Sequence, residues 1–287
     1  MIPARFDYEV ADSVESALEL LGSGREAKLL AGGHSLLPLM KLRLARPELL
    51  VDIGRLSELA YVREDGDRIA VGALTRHHDL ARDEVVRKGC AILAHTAGLV
   101  GDPQVRHRGT IGGSVAHGDP ASDLPTVLLA LDGTVTITGQ GGGTREVAAV
   151  DMFEDYLTTA VGPGEILTEL RLPTMDGWGH GYEKFNRRAE DWAMVGVVAL
   201  VKKAGDGSCE DVRIGLTHMG STPLRARAAE EALRGKGLDA QSIASAAEQA
   251  PEGTDPPGDL NATPDYKRHL ARVLTRRALE AAAGVSS

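Results

Sequence analysis

Twice the chain follows an apolar stretch with Gly-Gly and then small polar groups, at Ala31-Gly32-Gly33-His34-Ser35 and at Thr110-Ile111-Gly112-Gly113-Ser114. No other feature constrains the fold as much. Glycine has no Cβ, so it admits positive φ and lets another group come close to the backbone. Successive N–H groups in such a turn make a concave anion site, and a following helix adds the positive end of its dipole. Two loops of one form are suited to grip a diphosphate from opposite sides. The plainer alternative is that each Gly-Gly only makes a tight turn, the usual work of glycine in a sequence that holds 34 of them.

What surrounds the loops narrows the chemistry. A chain of 287 residues is long enough for one large or two medium domains and a core that needs no disulfide. It has only two cysteines, Cys90 and Cys209, far apart and without Cys-x-x-Cys spacing, so it cannot supply the ligands of an iron–sulfur cluster or a structural zinc. Any such centre has to sit on a partner. The net charge of −9 and pI near 5.5 argue against a nucleic-acid binder, which needs a concentrated basic face. No apolar run of about 18 residues occurs and no basic, apolar leader opens the sequence, so a soluble, cytoplasmic protein without a transmembrane segment is expected.

Periodicity supplies the elements. Val14, Ala17, Leu18 and Leu21 follow helical spacing between Ser13 and Gly22. Short strands are predicted at 28–31 and 49–53, with a helix from Pro38 to Leu44. A hairpin spans 59–72 around Glu64-Asp65-Gly66-Asp67, and helices are expected at 74–80 and 88–99. The stretch GTIGGSVAHGDPASD, 109–123, reads as a second glycine-rich loop ahead of a helix at 125–131. Strands follow at 134–138, 144–147 and 166–172. The segment TMDGWGHG, 174–181, has linker composition and sets the domain boundary. Beyond it come strands at 181–187, 195–202 and 212–219, helices at 224–233 and 240–250, a mobile loop PEGTDPPGDLNAT at 251–263, and a last helix at 264–283.

The usual dinucleotide, triphosphate, hydrolase and zincin signatures are missing. His77 and His78 are adjacent and point different ways, which favours a solvated or capping role over a metal pair. Asp119 and Asp123 suit the capping of the following helix, while Asp123 suits a ribose or ribityl hydroxyl equally well.

The runs AGGHSLLPLMKLRL at 31–44, LLVDIG at 49–54, DPQVRHRGTIGGSVAHGDPASDLP at 102–125 and YKRHLARVLTRRAL at 266–279 resemble the FAD-binding medium subunits of molybdenum hydroxylases, the xanthine dehydrogenase family. The branch they are most like is the medium chain of aerobic carbon monoxide dehydrogenase. The resemblance implies an α+β protein: a two-lobed FAD-binding domain of the vanillyl-alcohol-oxidase type over 1–176, with lobes at about 1–55 and 56–176, and a smaller domain of antiparallel sheet plus helices over 177–287. It places non-covalent FAD against Ala31, Gly32, Gly33, His34, Ser35 and Leu36 of the first loop. It adds Thr110, Ile111, Gly112, Gly113 and Ser114 of the second, together with Asp123, Leu167, Lys184 and Trp192. Relatives often carry tyrosine where this chain has Trp192, so the aromatic cover is kept but its hydroxyl is not; ordinary core packing is the other reading of that residue.

The resemblance also implies partners. A small subunit with [2Fe-2S] clusters and a molybdopterin-containing large subunit complete a heterotrimer, expected to double, and FAD passes electrons from the clusters to a quinone or other acceptor. The complex would then lie in the cytoplasm or against the inner face of the membrane. A large subunit acting on an aldehyde or N-heterocycle is the nearest alternative, since substrate choice lies there. A non-redox nucleotide-binding module, and an oxidase with flavin linked through His34, are the others.

Overall fold

In the computed structural model, which describes residues 1–285, the chain builds two lobes and a C-terminal domain. The first lobe contains β1 (Asp7–Val10), α1 (Val14–Leu21), β2 (Ala27–Leu30), α2 (Leu36–Lys41) and β3 (Leu49–Asp52). Its sheet is parallel in the order β1-β3-β2. The central strand β3 is apolar and buried from Leu49 to Val51 because neighbours cover it, and Leu49 and Val51 pack with Ala17 and Leu18 of α1. Helix α1 starts at a reciprocal cap in which Ser13 and Ser16 bond each other's backbone N–H, and it ends at Gly22. α2 stops at Lys41 instead of reaching Leu44, since Arg43 turns left-handed with φ +60°.

The second lobe runs through β4 (Val62–Asp65), β5 (Arg68–Gly72), α3 (His77–Arg82), α4 (Glu84–Gly89), α5 (Ala91–Gly98), α6 (Pro103–Arg106), α7 (Ile111–His117) and α8 (Asp123–Ala130). It continues with β6 (Thr134–Thr138), β7 (Thr144–Ala148), α9 (Ala149–Met152), β8 (Phe153–Asp155), β9 (Thr158–Thr159) and β10 (Ile166–Pro173). Its main sheet is antiparallel in the order β4-β5-β10-β6-β7. The single helix expected at 88–99 is two, broken at Cys90, where φ −149° and ψ 66° leave the helical region. The second glycine-rich loop is shorter than its composition suggests, because α7 runs through its middle.

The C-terminal domain comprises β11 (Trp178–Phe185), β12 (Val195–Lys203), β13 (Cys209–Thr217), β14 (Leu224–Arg225), α10 (Arg227–Leu233), α11 (Ala240–Ala247) and α12 (Pro264–Ala283), with an antiparallel sheet in the order β11-β12-β13-β14. Residues 178–181 are strand, not linker. Their glycines serve packing: a Cβ on Gly179 or Gly181 would overlap the carbonyl of Ala282 or Ala278, so α12 lies directly on bare backbone. The stretch 251–263 is pinned rather than loose. Asp255 N–H donates to Met219 O at 3.0 Å, and the Asp259 carboxylate accepts from the N–H groups of Asn261 and Ala262.

α8 joins the parts. All eight of its residues are buried, and Thr126 bonds Thr217 of β13 at 2.7 Å. A helix apolar on every side is one covered on every side, here by the second lobe and by the C-terminal sheet.

Candidate functional site

A cleft of about 890 Å³ opens where the three parts meet, near the upper end of the roughly 300–1,000 Å³ usual for small-molecule sites. Ala31, Gly32, Gly33, His34, Ser35 and Leu36 line it from the first lobe. Thr110, Gly112, Gly113, Ser114, Asp123 and Leu167 do so from the second, and Lys184 and Trp192 from the C-terminal domain. Ile111 turns away. Its side chain lies in the core of the second lobe, and its N–H is given to Thr75 O.

The first loop leaves its amides free. Gly33 has φ +80°, and the N–H groups of Gly32, Gly33, His34 and Ser35 make no hydrogen bond within the described chain. Four successive uncommitted amides beside a cleft suit a phosphate or diphosphate. Ser35 sits at the N-cap of α2 but its hydroxyl makes no capping bond, and His34 is exposed.

The second loop is committed to the fold. Ile111 N–H donates to Thr75 O at 3.0 Å, Gly112 to Ala73 O at 2.9 Å, Gly113 to Thr110 Oγ1 at 3.2 Å and Ser114 to Thr110 O at 3.0 Å. Gly112 is glycine because a Cβ there would press on Ala73. The close approach that the first Gly-Gly permits is partly to this second loop: a Cβ on Gly32 would overlap the Arg108 carbonyl. The two loops touch, and they form one wall.

Asp123 is the first residue of α8, and neither it nor Asp119 caps that helix: Asp119 accepts from Ala121 N–H in the preceding turn. The Asp123 carboxylate accepts from Tyr182 Oη at 2.5 Å and Lys184 Nζ at 2.9 Å, with both ion-pair side chains buried. Burial pushes the Asp123 carboxyl up, while the Lys184 charge and the Tyr182 hydroxyl pull it back part of the way. Tyr182, spaced two residues from Lys184 on the same strand face, went unnoticed in the sequence. Its clue is that alternation.

Trp192 fills no core. It is 55% exposed in the connection between β11 and β12, where the Asn186 amide donates to the carbonyls of Ala189 and Asp191. Of the adjacent histidines, His78 stacks on His107 with ring centroids 3.9 Å apart, whereas His77 is buried, lines the cleft and leaves its Nδ1 without a partner. Burial, then the nearby charges of His34 and Arg106, lower the His77 pKa to about 4, so its ring is neutral at neutral pH. The sequence reading passed over it as capping or solvated. No group of three metal-ligating side chains occurs among the described residues.

Residues 4–175 match the FAD binding domain in molybdopterin dehydrogenase, and residues 180–282 match the CO dehydrogenase flavoprotein C-terminal domain. The chain belongs to the flavoprotein subunits of the molybdopterin dehydrogenases. This FAD-binding oxidoreductase subunit is 41% identical to the carbon monoxide dehydrogenase medium chain of Hydrogenophaga pseudoflava, over 98% of each. It is 40% identical to the 6-hydroxypseudooxynicotine dehydrogenase complex subunit alpha of Paenarthrobacter nicotinovorans, over 97% of the chain and 95% of the relative. A solved carbon monoxide dehydrogenase from H. pseudoflava, in a form lacking the Mo-pyranopterin moiety of its cofactor, matches the flavoprotein fold with a TM-score of 0.95 at 42% identity, over 100% of both chains. No helix among the described residues is long and apolar enough to cross a membrane.

Proposed function

We propose that this chain is the FAD-carrying electron-transfer subunit of an aerobic molybdenum carbon monoxide dehydrogenase. The observation that carries the reading is the run of four unpaired amides from Gly32 to Ser35, set in a cleft large enough for a dinucleotide cofactor. Those amides hold the diphosphate, with the hydroxyls of Ser35, Thr110 and Ser114 beside them. Asp123 and Lys184 stand at the flavin side of the cleft, and Trp192 covers the ring. When bound, FAD supplies the capacity to take up and release electrons. The protein orients it, sets its surroundings and leaves it reachable.

The source of the electrons is another chain. Cys90 and Cys209 are both buried, and two cysteines are too few to hold a [2Fe-2S] cluster. A small subunit with [2Fe-2S] clusters and a large subunit with molybdopterin provide what is missing, in a dimer of heterotrimers. The electrons leave to a quinone from a cytoplasmic complex at the inner membrane face. A second reading keeps the assembly and changes the substrate: the nearly equal identities of 41% and 40% to relatives named for carbon monoxide and for an N-heterocyclic compound leave that choice to the large subunit.

The test is to load the chain with FAD, remove the excess and precipitate the protein with acid. Flavin in the supernatant supports the non-covalent reading. Flavin in the pellet assigns His34 a covalent link, and a folded chain without flavin rejects the proposal. Carbon monoxide and 6-hydroxypseudooxynicotine, offered to the native complex, then separate the two substrates by which one bleaches the flavin.

A further inference from the structure

The wall carrying Trp192 is held from behind by a chain of polar groups that runs from the surface at Asp259 through buried Lys267 to half-buried His218. His218 follows β13 with φ +63°, a left-handed conformation uncommon outside glycine, in which histidine and asparagine are among the better tolerated residues. Its backbone N–H donates to Pro120 O at 2.8 Å, three residues before Asp123. Its ring Nδ1 lies 2.9 Å from the carbonyl of Ala193, the neighbour of Trp192. Its Nε2 lies 3.3 Å from Nζ of Lys267, which is wholly buried on α12 and donates to Asp259 at 2.7 Å.

These contacts fix the tautomer. Lysine Nζ has only protons to give, so Nε2 accepts, the ring proton sits on Nδ1, and the Ala193 contact is an N–H···O=C bond. Burial lowers the His218 pKa and the Lys267 charge adds to it, which keeps the ring neutral against the opposing pull of the Ala193 carbonyl. One side chain thus ties the Trp192 segment to α12, and its backbone ties the same point to the turn leading into Asp123.

We propose that His218 is a positioning residue for Trp192, latched by Lys267 and Asp259, so that the 251–263 stretch and α12 set how the aromatic lies against bound flavin. The role rests on the flavin reading above. Flavin emission tests it in the full chain loaded with FAD, because an indole held against the ring quenches that emission. His218→Ala is expected to raise the emission per bound FAD at least about twofold. His218→Asn is expected to restore part of the quenching, since its amide can donate to Ala193 and asparagine tolerates left-handed φ, but it cannot reach Lys267. On a Trp192→Phe background His218→Ala should add nothing, because the latch acts through the indole.

Unmoved emission in His218→Ala at full FAD occupancy overturns the latch alone. So does an equal rise on the Trp192→Phe background, or an asparagine variant no better than alanine. Should His218→Ala fail to fold, Lys267→Met carries the same readout with a smaller expected rise, and no rise there overturns the role. A wild-type chain that takes up no FAD removes the flavin reading itself and this role with it.

Discussion

The two glycine loops have nearly the same sequence form and opposite hydrogen-bond states. From Gly32 to Ser35, beside the cleft, the amides have no acceptor among the described residues, while from Ile111 to Ser114 every amide already has one. The first is shaped for a ligand. The second is the start of α7, and its glycines let the helix close on Ala73 and the two loops meet. On the proposed reading, a shared motif divides into a binding half and a bracing half, and the count of unpaired donors is what tells them apart.

The largest effect should come from forcing apart what the structure joins. Gly32→Val drives a branched side chain into the Arg108 carbonyl, a steric cost of about 3 kcal/mol or more, so the chain should lose bound FAD and melt earlier. Flavin-to-protein ratio and a thermal scan measure both, and retained FAD would show that the loops need not touch. His77 tests the bracing half. Its ring packs on Gly109 with its pKa lowered to about 4 from the usual 6.5, so the unfolded chain takes up this proton first as pH falls. The stabilisation is present above about 6.5 and lost on the way down to about 4, on the order of 3 kcal/mol in all. Denaturant titrations across that range should show a slope that His77→Gln flattens.

Next comes a direct contrast between the halves. Gly33→Ala meets positive φ, at a cost of about 1–2 kcal/mol, and should weaken FAD binding by roughly five- to thirtyfold. The FAD-free chain should melt almost as before, because no internal bond holds those amides in place. Gly113→Ala meets only the Thr110 hydroxyl and should change FAD affinity far less; equal losses in a binding titration would erase the distinction drawn here. The smallest effect is expected of Thr110→Ala, which removes the N-cap of α7 for about 1 kcal/mol of stability, read from the urea midpoint.

Where the sequence could be read correctly, the signals were local. α1 lies between its serine cap and Gly22, and α12 covers Pro264 to Ala283 because Thr263 caps its start and Gly284, at φ +64°, ends it. The misreadings share a cause. Gly112, Gly179 and Gly181 look like loop and linker in the sequence, yet they sit in a helix and a strand where another backbone presses close. β1 alternates polar and apolar over Asp7 to Val10, but four residues are a short run and all of them are exposed; its pairing with β3 is what makes it a strand. The prolines of 251–263 suggested mobility, but Asp259 and its partners hold that stretch.

What the sequence determined by itself was the inventory: two glycine loops at a set distance, too few cysteines for a cluster, and residues that carry the resemblance to one flavoprotein family. That follows because turn chemistry, capping and ligand counts depend on residues close in the chain. Only the tertiary structure decided which loop keeps its amides free, that Ile111 belongs to the core, that Asp123 pairs with Lys184 and Tyr182, and that His77 and His218 stand at and behind the site. Each of these is a matter of burial and of partners far away in sequence, where a low dielectric makes an unpaired group or charge costly enough to matter.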